Sequence, residues 1–231
     1  MEYLPNGMTL EVPAGCFPLS TDSMLLAHFA GNIGKKHMLD LCSGCGTIGL
    51  MLCAQNPLCR VTGVELDEAA QEGAVQNIQR NHLSSRMENI CADVRHISGL
   101  FDAGSFDCCV SNPPYYAAGP AAKNTIARRE DECSLSELMA AAGWALKFGG
   151  DFYLVHRAER LAEIIRLGGE HKLEAKRLAL VRHREGSPVT LVLLQLRKGA
   201  KPGLKLEDWV LHTEAGKPTP LYREIYHLQE E

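Results

Sequence analysis

Residues 111–116 read SNPPYY and follow an apolar run, FDCCV, with the composition of a buried strand. The paired prolines stop that strand and leave an amide, Asn112, and an aromatic ring, Tyr115, at its carboxyl end, where open α/β sheets bind their ligands. A second cluster lies upstream. Gly44-Cys45-Gly46-Thr47-Ile48-Gly49 matches G-x-G-x-x-G directly after a strand-like segment and at the opening of a helix, and Glu65 closes the next strand about 20 residues on. Glycines there permit a tight turn and close backbone approach, and an acid at that distance accepts hydrogen bonds from ribose hydroxyls. A nucleotide site accounts for both features. A nicotinamide enzyme would carry the same pair, and a glycine turn kept only for packing is the plainer alternative.

Two further acids separate the nucleotide options. Asp40 lies in the strand just before the loop, where a pyrophosphate would meet negative charge and an ammonium group would be favoured. Asp93 ends the third strand and can accept a hydrogen bond from an adenine amine. Cation, ribose and adenine in that order describe S-adenosylmethionine, with a dinucleotide as the runner-up.

Such residues converge only if successive strands end side by side. From Lys36 strand-like and helix-like segments alternate: HMLDLCSG, then GTIGLMLCAQN; RVTGVEL, then DEAAQEGAVQNIQRNH; ENICAD; FDCCVSN, then the helical SLSELMAAAGWALKFGG; DFYLVHR, then AERLAEIIRLGG. Two strand-like runs joined by a turn, LEAKRLALVRHR and SPVTLVLLQLRKG, come last. The pattern predicts an α/β fold with a doubly wound, Rossmann-like, seven-stranded sheet, mostly parallel, carrying an antiparallel C-terminal hairpin at one edge. A single domain spans 1–231, with an N-terminal segment and helix at 1–35, a core at 36–198 and a tail at 199–231. The tail reads as irregular apart from a short helix around Tyr222–His227.

Bulk properties narrow the class. The 231 residues are 45% hydrophobic and 23% charged, which suits a soluble globular chain with room for one sizeable core. No apolar run reaches the length of a membrane span and MEYLPNGMTLE lacks a secretory pattern, so a cytoplasmic location is expected. The nine cysteines show no framework spacing and read as reduced thiols. Cys42 and Cys45 form a lone CxxC inside the glycine turn, and the nine histidines show no H-x-x-x-H spacing, so no metal site is expected. The net charge of −4 is unevenly spread. Lys147–Lys205 holds 13 basic and 6 acidic residues, whereas the remainder holds 11 and 22. Solvated faces explain this simply; a basic face for a polyanion is the sharper reading.

The ordered set DLCSGCG, GVELD, CADV and SNPPYY resembles the successive motifs of the class I S-adenosylmethionine-dependent methyltransferases, over about residues 17–198. The resemblance implies cofactor contacts at Thr21, Asp22, Asp40, Cys42, Gly44, Gly46, Glu65, Leu66, Asp93, Val94 and Asn112, and catalytic roles for Asn112, Pro113, Pro114 and Tyr115. In this family N/D-P-P-Y accompanies methylation of a nitrogen conjugated to a planar system. The lone pair of such an amine is delocalised and attacks a sulfonium methyl poorly. The Asn112 side-chain oxygen and the Pro113 carbonyl would accept its hydrogen bonds and favour a pyramidal nitrogen as the transition state develops. Tyr115 would stack on the presented base.

Further segments make the resemblance narrower. FPLSTDSMLLAHF (17–29), ARREDECSLSELM, GGDFYLVHR (149–157) and an ending with Leu221-Tyr222 and Ile225-Tyr226 are similar to the tRNA(Val) (adenine-N6)-methyltransferases, which modify the base 3′ of the anticodon. The ending only approximates the family's, and the cysteine-rich glycine loop departs from it. tRNA is the implied partner, and an anticodon-loop base is already single-stranded, which lowers the cost of presenting it. Lys123, Arg128 and Arg129 in the stretch after NPPY, and Lys198 and Lys201 in the basic excess, are the expected RNA contacts. With so short a stretch ahead of the glycine loop, the helical domain of the release-factor glutamine enzymes is not expected. The alternatives are another NPPY methyltransferase acting on ribosomal RNA or a protein glutamine, or a non-catalytic module that binds S-adenosylmethionine.

Overall fold

Apolar residues cover both faces of the central strands, so helices must lie on both sides of the sheet. The computed structural model describes residues 1–4, 7–114 and 133–228. A short antiparallel ribbon, β1 (Glu2–Tyr3) with β2 (Thr9–Leu10), leads to α1 (Thr21–Ala30). There follow β3 (His37–Leu41), α2 (Thr47–Gln55), β4 (Arg60–Glu65), α3 (Glu68–Arg80), β5 (Met87–Cys91), the single-turn α4 (Ile97–Leu100) and β6 (Phe106–Ser111). After these come α5 (Leu135–Ala145), β7 (Leu146–Arg157), α6 (Leu161–Glu170), β8 (Leu173–Arg184), β9 (Val189–Lys198), β10 (Lys205–His212) and α7 (Pro220–Tyr226).

The main sheet has the order β10-β8-β9-β7-β6-β3-β4-β5. Only β9 runs against its neighbours β7 and β8; the other pairs are parallel. Among the described residues the main sheet therefore has eight strands, not seven. The eighth is β10, in the stretch expected to be irregular; it pairs with β8 and covers the open side of the hairpin. Its inward residues Trp209 and Leu211 are buried while Leu206 faces solvent, the alternation of a half-buried edge strand. A second difference concerns LKFGG, which opens β7 rather than closing α5.

Helices α1, α2 and α3 pack Leu25, Leu50 and Ile78 on one face of the sheet, and α5 and α6 pack Leu138 and Ile164 on the other. Two asparagines, Asn77 on α3 and Asn81 at its C-terminal cap, hold the N-terminal segment. Asn77, fully buried, accepts from the Glu11 amide and donates to the carbonyls of Glu11 and Cys45; Asn81 brackets Thr9 in the same way. Each carboxamide satisfies backbone groups of the segment much as a strand neighbour would. Gly73 on the same helix gives the segment room, because a Cβ there would lie 2.9 Å from the Pro13 ring.

Candidate active site

The turns after β3, β4, β5 and β6 open on one edge of the sheet, and together with residues 15–18 and the first turn of α1 they enclose a cavity of about 440 Å³. That volume is in the range of small-ligand sites. Asp22, Cys42, Gly44, Glu65, Leu66, Asp93, Val94, Asn112, Pro113 and Pro114 all line it. Thr21, Asp40 and Gly46 do not.

The glycine turn begins with Cys42 at φ 58°, and Gly44 follows at φ 54°. Open space surrounds the position a Gly44 Cβ would take, so what favours glycine there is the left-handed backbone conformation and not crowding. Gly46 combines a left-handed φ of 80° with close packing, and Gly49 serves packing: added Cβ atoms would lie 3.1 and 2.4 Å from Met87 Cε. The Gly44 amide donates to Glu65 Oε2 at 2.7 Å, and the Asp67 amide to Oε1 at 2.9 Å. Burial raises the Glu65 pKa while those amides oppose the shift. Behind the turn, Asn89 Nδ2 donates to Ser43 Oγ at 2.8 Å across Gly63, where any side chain would collide with both groups.

Asp40 lies beneath the turn, fully buried, with no hydrogen-bond partner on either carboxylate oxygen. Burial pushes its pKa up to about 8; the Gly49 amide pulls the other way but lies outside hydrogen-bond geometry. Asp93 faces the cavity, and its carboxylate is already gripped by the Arg95 guanidinium and amide, which hold its pKa below the usual range. Arg95 carries no motif signal. Leu66, Val94 and Ile48 supply apolar surface between these acids.

Asn112 emerges from β6 with its Nδ2 donating to Ser23 Oγ at 3.0 Å. Ser23 is buried in the first turn of α1, where Ser20 caps the helix and their hydroxyls lie 3.2 Å apart. Sequence reasoning missed Ser23, since residues 89 positions apart leave no local pattern. It also missed Cys133, in the cavity wall beside Cys42; their hydrogen bond and burial put the Cys42 thiol well above its ordinary value.

Tyr115, Lys123, Arg128 and Arg129 lie outside the described residues. Lys198 and Lys201 are not brought to the cavity. β9 runs antiparallel, so its last residue stands at the opposite edge of the sheet, and Lys198 Nζ donates to the Leu146 carbonyl at 2.6 Å.

The cavity discriminates between ligands by charge. Its described walls hold Asp22, Glu65, Asp67 and Asp93 and no lysine, arginine or histidine. A pyrophosphate would face these carboxylates, whereas a ligand with a cationic group at one end, vicinal hydroxyls in the middle and an aromatic ring at the other finds complementary partners.

Residues 20–170 match the model of the family described as Methyltransferase small domain. The tRNA1(Val) (adenine(37)-N6)-methyltransferase of Porphyromonas gingivalis W83 is 32% identical over 184 residues, 74% of this chain and 72% of the relative. The enzyme of the same name from Shewanella halifaxensis is 34% identical over 148 residues, 63% of this chain and 60% of the relative. The one from Aeromonas hydrophila is 29% identical over 211 residues, 90% and 87%. Among solved structures, a predicted O-methyltransferase from Agrobacterium tumefaciens superposes with a TM-score of 0.76 at 22% identity, over 90% of this chain and 96% of that one, which establishes the shared fold.

Proposed function

Because the chain belongs to the methyltransferase small-domain family and, within it, to the tRNA1(Val) (adenine(37)-N6)-methyltransferases, we propose that it methylates the N6 amine of an adenine in tRNA, the anticodon-loop base 3′ of the anticodon of tRNA(Val). S-adenosylmethionine supplies the chemistry, an electrophilic methyl carried on a sulfonium. The observation that carries the cofactor assignment is that the charged side chains of the described wall, Asp22, Glu65, Asp67 and Asp93, are all acidic.

The residues divide the work. Glu65 and Asp93 offer carboxylate oxygens to hydroxyls and to an adenine amine, and Leu66, Val94 and Ile48 exclude water from the ring between them. Asn112 orients the substrate. With Nδ2 tied to Ser23 the carboxamide plane is fixed, and Oδ1 becomes the acceptor for one N6 hydrogen. The Pro113 carbonyl would accept the second, and Tyr115 would stack on the base. Two acceptors in fixed positions favour the developing positive charge on nitrogen more than the neutral amine, which is the differential that accelerates transfer. No side chain of the protein needs to attack. Acting on tRNA would keep the chain in the cytoplasm, and no helix among the described residues is long and apolar enough to cross a membrane.

The test is incubation of the protein with unmodified bulk tRNA and labelled S-adenosylmethionine, followed by nucleoside digestion and mass spectrometry. N6-methyladenosine in tRNA is the expected product. Label on guanine, on protein or nowhere overturns the assignment.

A further inference from the structure

Four aromatic rings form a row along the sheet edge that holds the cavity. His183 and His212 have centroids 4.9 Å apart, His212 and Tyr222 4.7 Å, and Tyr222 and Tyr226 4.3 Å at an interplanar angle of 19°. The row ends at the active site: Tyr226 Oη donates to Thr21 Oγ1 at 3.2 Å, and the next residue, Asp22, is in the cavity wall. β8 and β10 run in the same direction as β7, so the ends carrying His183 and His212 emerge at the same edge as Asn112. Three inter-strand spacings separate β8 from β6, about 14 Å, a distance that a few unpaired nucleotides span. His183 is exposed and the other three rings are half-buried, so each presents surface to solvent.

We propose that this edge, from Tyr226 to His183, is the docking surface for the unpaired RNA strand that carries the target adenine. The proposal rests on the tRNA-methylating reading above and adds where the strand lies. Only Tyr222 and Tyr226 are stacked on each other; His183–His212 and His212–Tyr222 are tilted at 45° and 46°, so the row offers separate ring faces to successive bases. Stacking on aromatic side chains holds single strands whatever their sequence. Arg184, Lys217 and Arg223 flank the row with no carboxylate at ion-pair distance among the described residues, whereas Arg182 beside them is paired with Asp208. Glu185, Glu214 and Glu224 share the edge, so its net charge is small. Stacking must then supply the larger part of the affinity, with the three cations placing phosphates. Packing alone accounts for the row less well. Tyr222 and Tyr226 do contact the core, but apolar filling needs neither their hydroxyls nor an exposed imidazole.

Binding of a fluorescently labelled anticodon stem-loop RNA, followed by anisotropy, separates the two. Leucine keeps apolar bulk against the core, so Tyr222→Leu should melt near the parent temperature yet bind RNA roughly 5- to 150-fold more weakly. Tyr222→Phe should bind as the parent does. Arg184→Glu with Lys217→Glu should weaken binding and flatten its salt dependence, by about 0.7–0.9 in log–log slope for each phosphate that is no longer neutralised. Parental affinity in Tyr222→Leu and in the double reversal overturns the surface, as does a loss confined to Lys201→Glu at the opposite edge. A parent that binds RNA but forms no N6-methyladenosine sinks the methylation reading, and the same affinities still decide the surface. A parent that binds no RNA sinks both.

Discussion

The Asn112 carboxamide is held by Ser23, a residue inside the FPLSTDSMLLAHF segment whose part in the site the segment itself does not reveal. Asn112→Ala should leave cofactor affinity nearly unchanged while single-turnover methylation falls by about 2.7–4 kcal/mol, or 10²–10³-fold. Ser23→Ala should lower the same rate by about tenfold, the worth of one hydrogen bond that fixes a carboxamide. Equal rates for parent and Ser23→Ala would make that contact incidental. Asp40 gives a second residue-level expectation, with a sign that can be checked. Its folded pKa of about 8 stands above the ordinary 3.8, so the stability it contributes is complete below 3.8 and is lost as pH rises through about 8. Asp40→Asn removes that dependence. Thermal melts across this window should show the variant gaining on the parent as pH rises, and parallel curves would show that the carboxyl is solvated after all.

The glycine of α3 that faces Pro13 is where an element constrains the site. Gly73→Ala should raise helix propensity by about 0.8–1.0 kcal/mol, yet its Cβ would displace the segment whose residues 15–18 form one cavity wall. Calorimetry should find weaker S-adenosylmethionine binding without loss of helix; unchanged affinity would mean the segment yields without disturbing the wall. The parallel strands were legible in the sequence because burial on both faces leaves continuous apolar runs between glycines and caps. β10 was not. KLEDWVLH mixes charges with a single inward Trp209 and Leu211, and its reason to be a strand is the open flank of β8, which is a tertiary fact. LKFGG looked like a glycine-ended helix because propensity cannot see that Phe106 of β6 offers Leu146 a neighbour and that the residues up to Asp151 bulge out of the register. The site divided along similar lines. Motif-borne residues such as Gly44, Glu65, Leu66 and Asn112 were legible from spacing and resemblance. Ser23, Arg95 and Cys133 were not, because what makes them matter is a partner chosen by the fold.

Across the whole molecule, Arg177 is the junction between the two ends of the chain. From β8 it lies 4.4 Å from the centroid of the Phe29 ring on α1, donates to the Phe29 carbonyl at 3.3 Å and pairs with Glu207 of β10 at 3.1 Å. Arg177→Met should cost about 1–2 kcal/mol, a value kept low because the guanidinium is a third exposed. The urea midpoint should fall at constant slope; an unmoved midpoint would show that these interactions merely coexist. The bond from Tyr226 to Thr21 spans 205 residues of chain. At about 5–20 residues added per second, the ribosome makes the tyrosine roughly ten to forty seconds after the threonine it buttresses. Throughout that interval the nascent chain displays the glycine turn, the acids and then NPPY, while the first turn of α1 still lacks its far support. The turn beside Asp22 thus gains this support late in synthesis, after the glycine turn, the acids and NPPY have already been translated.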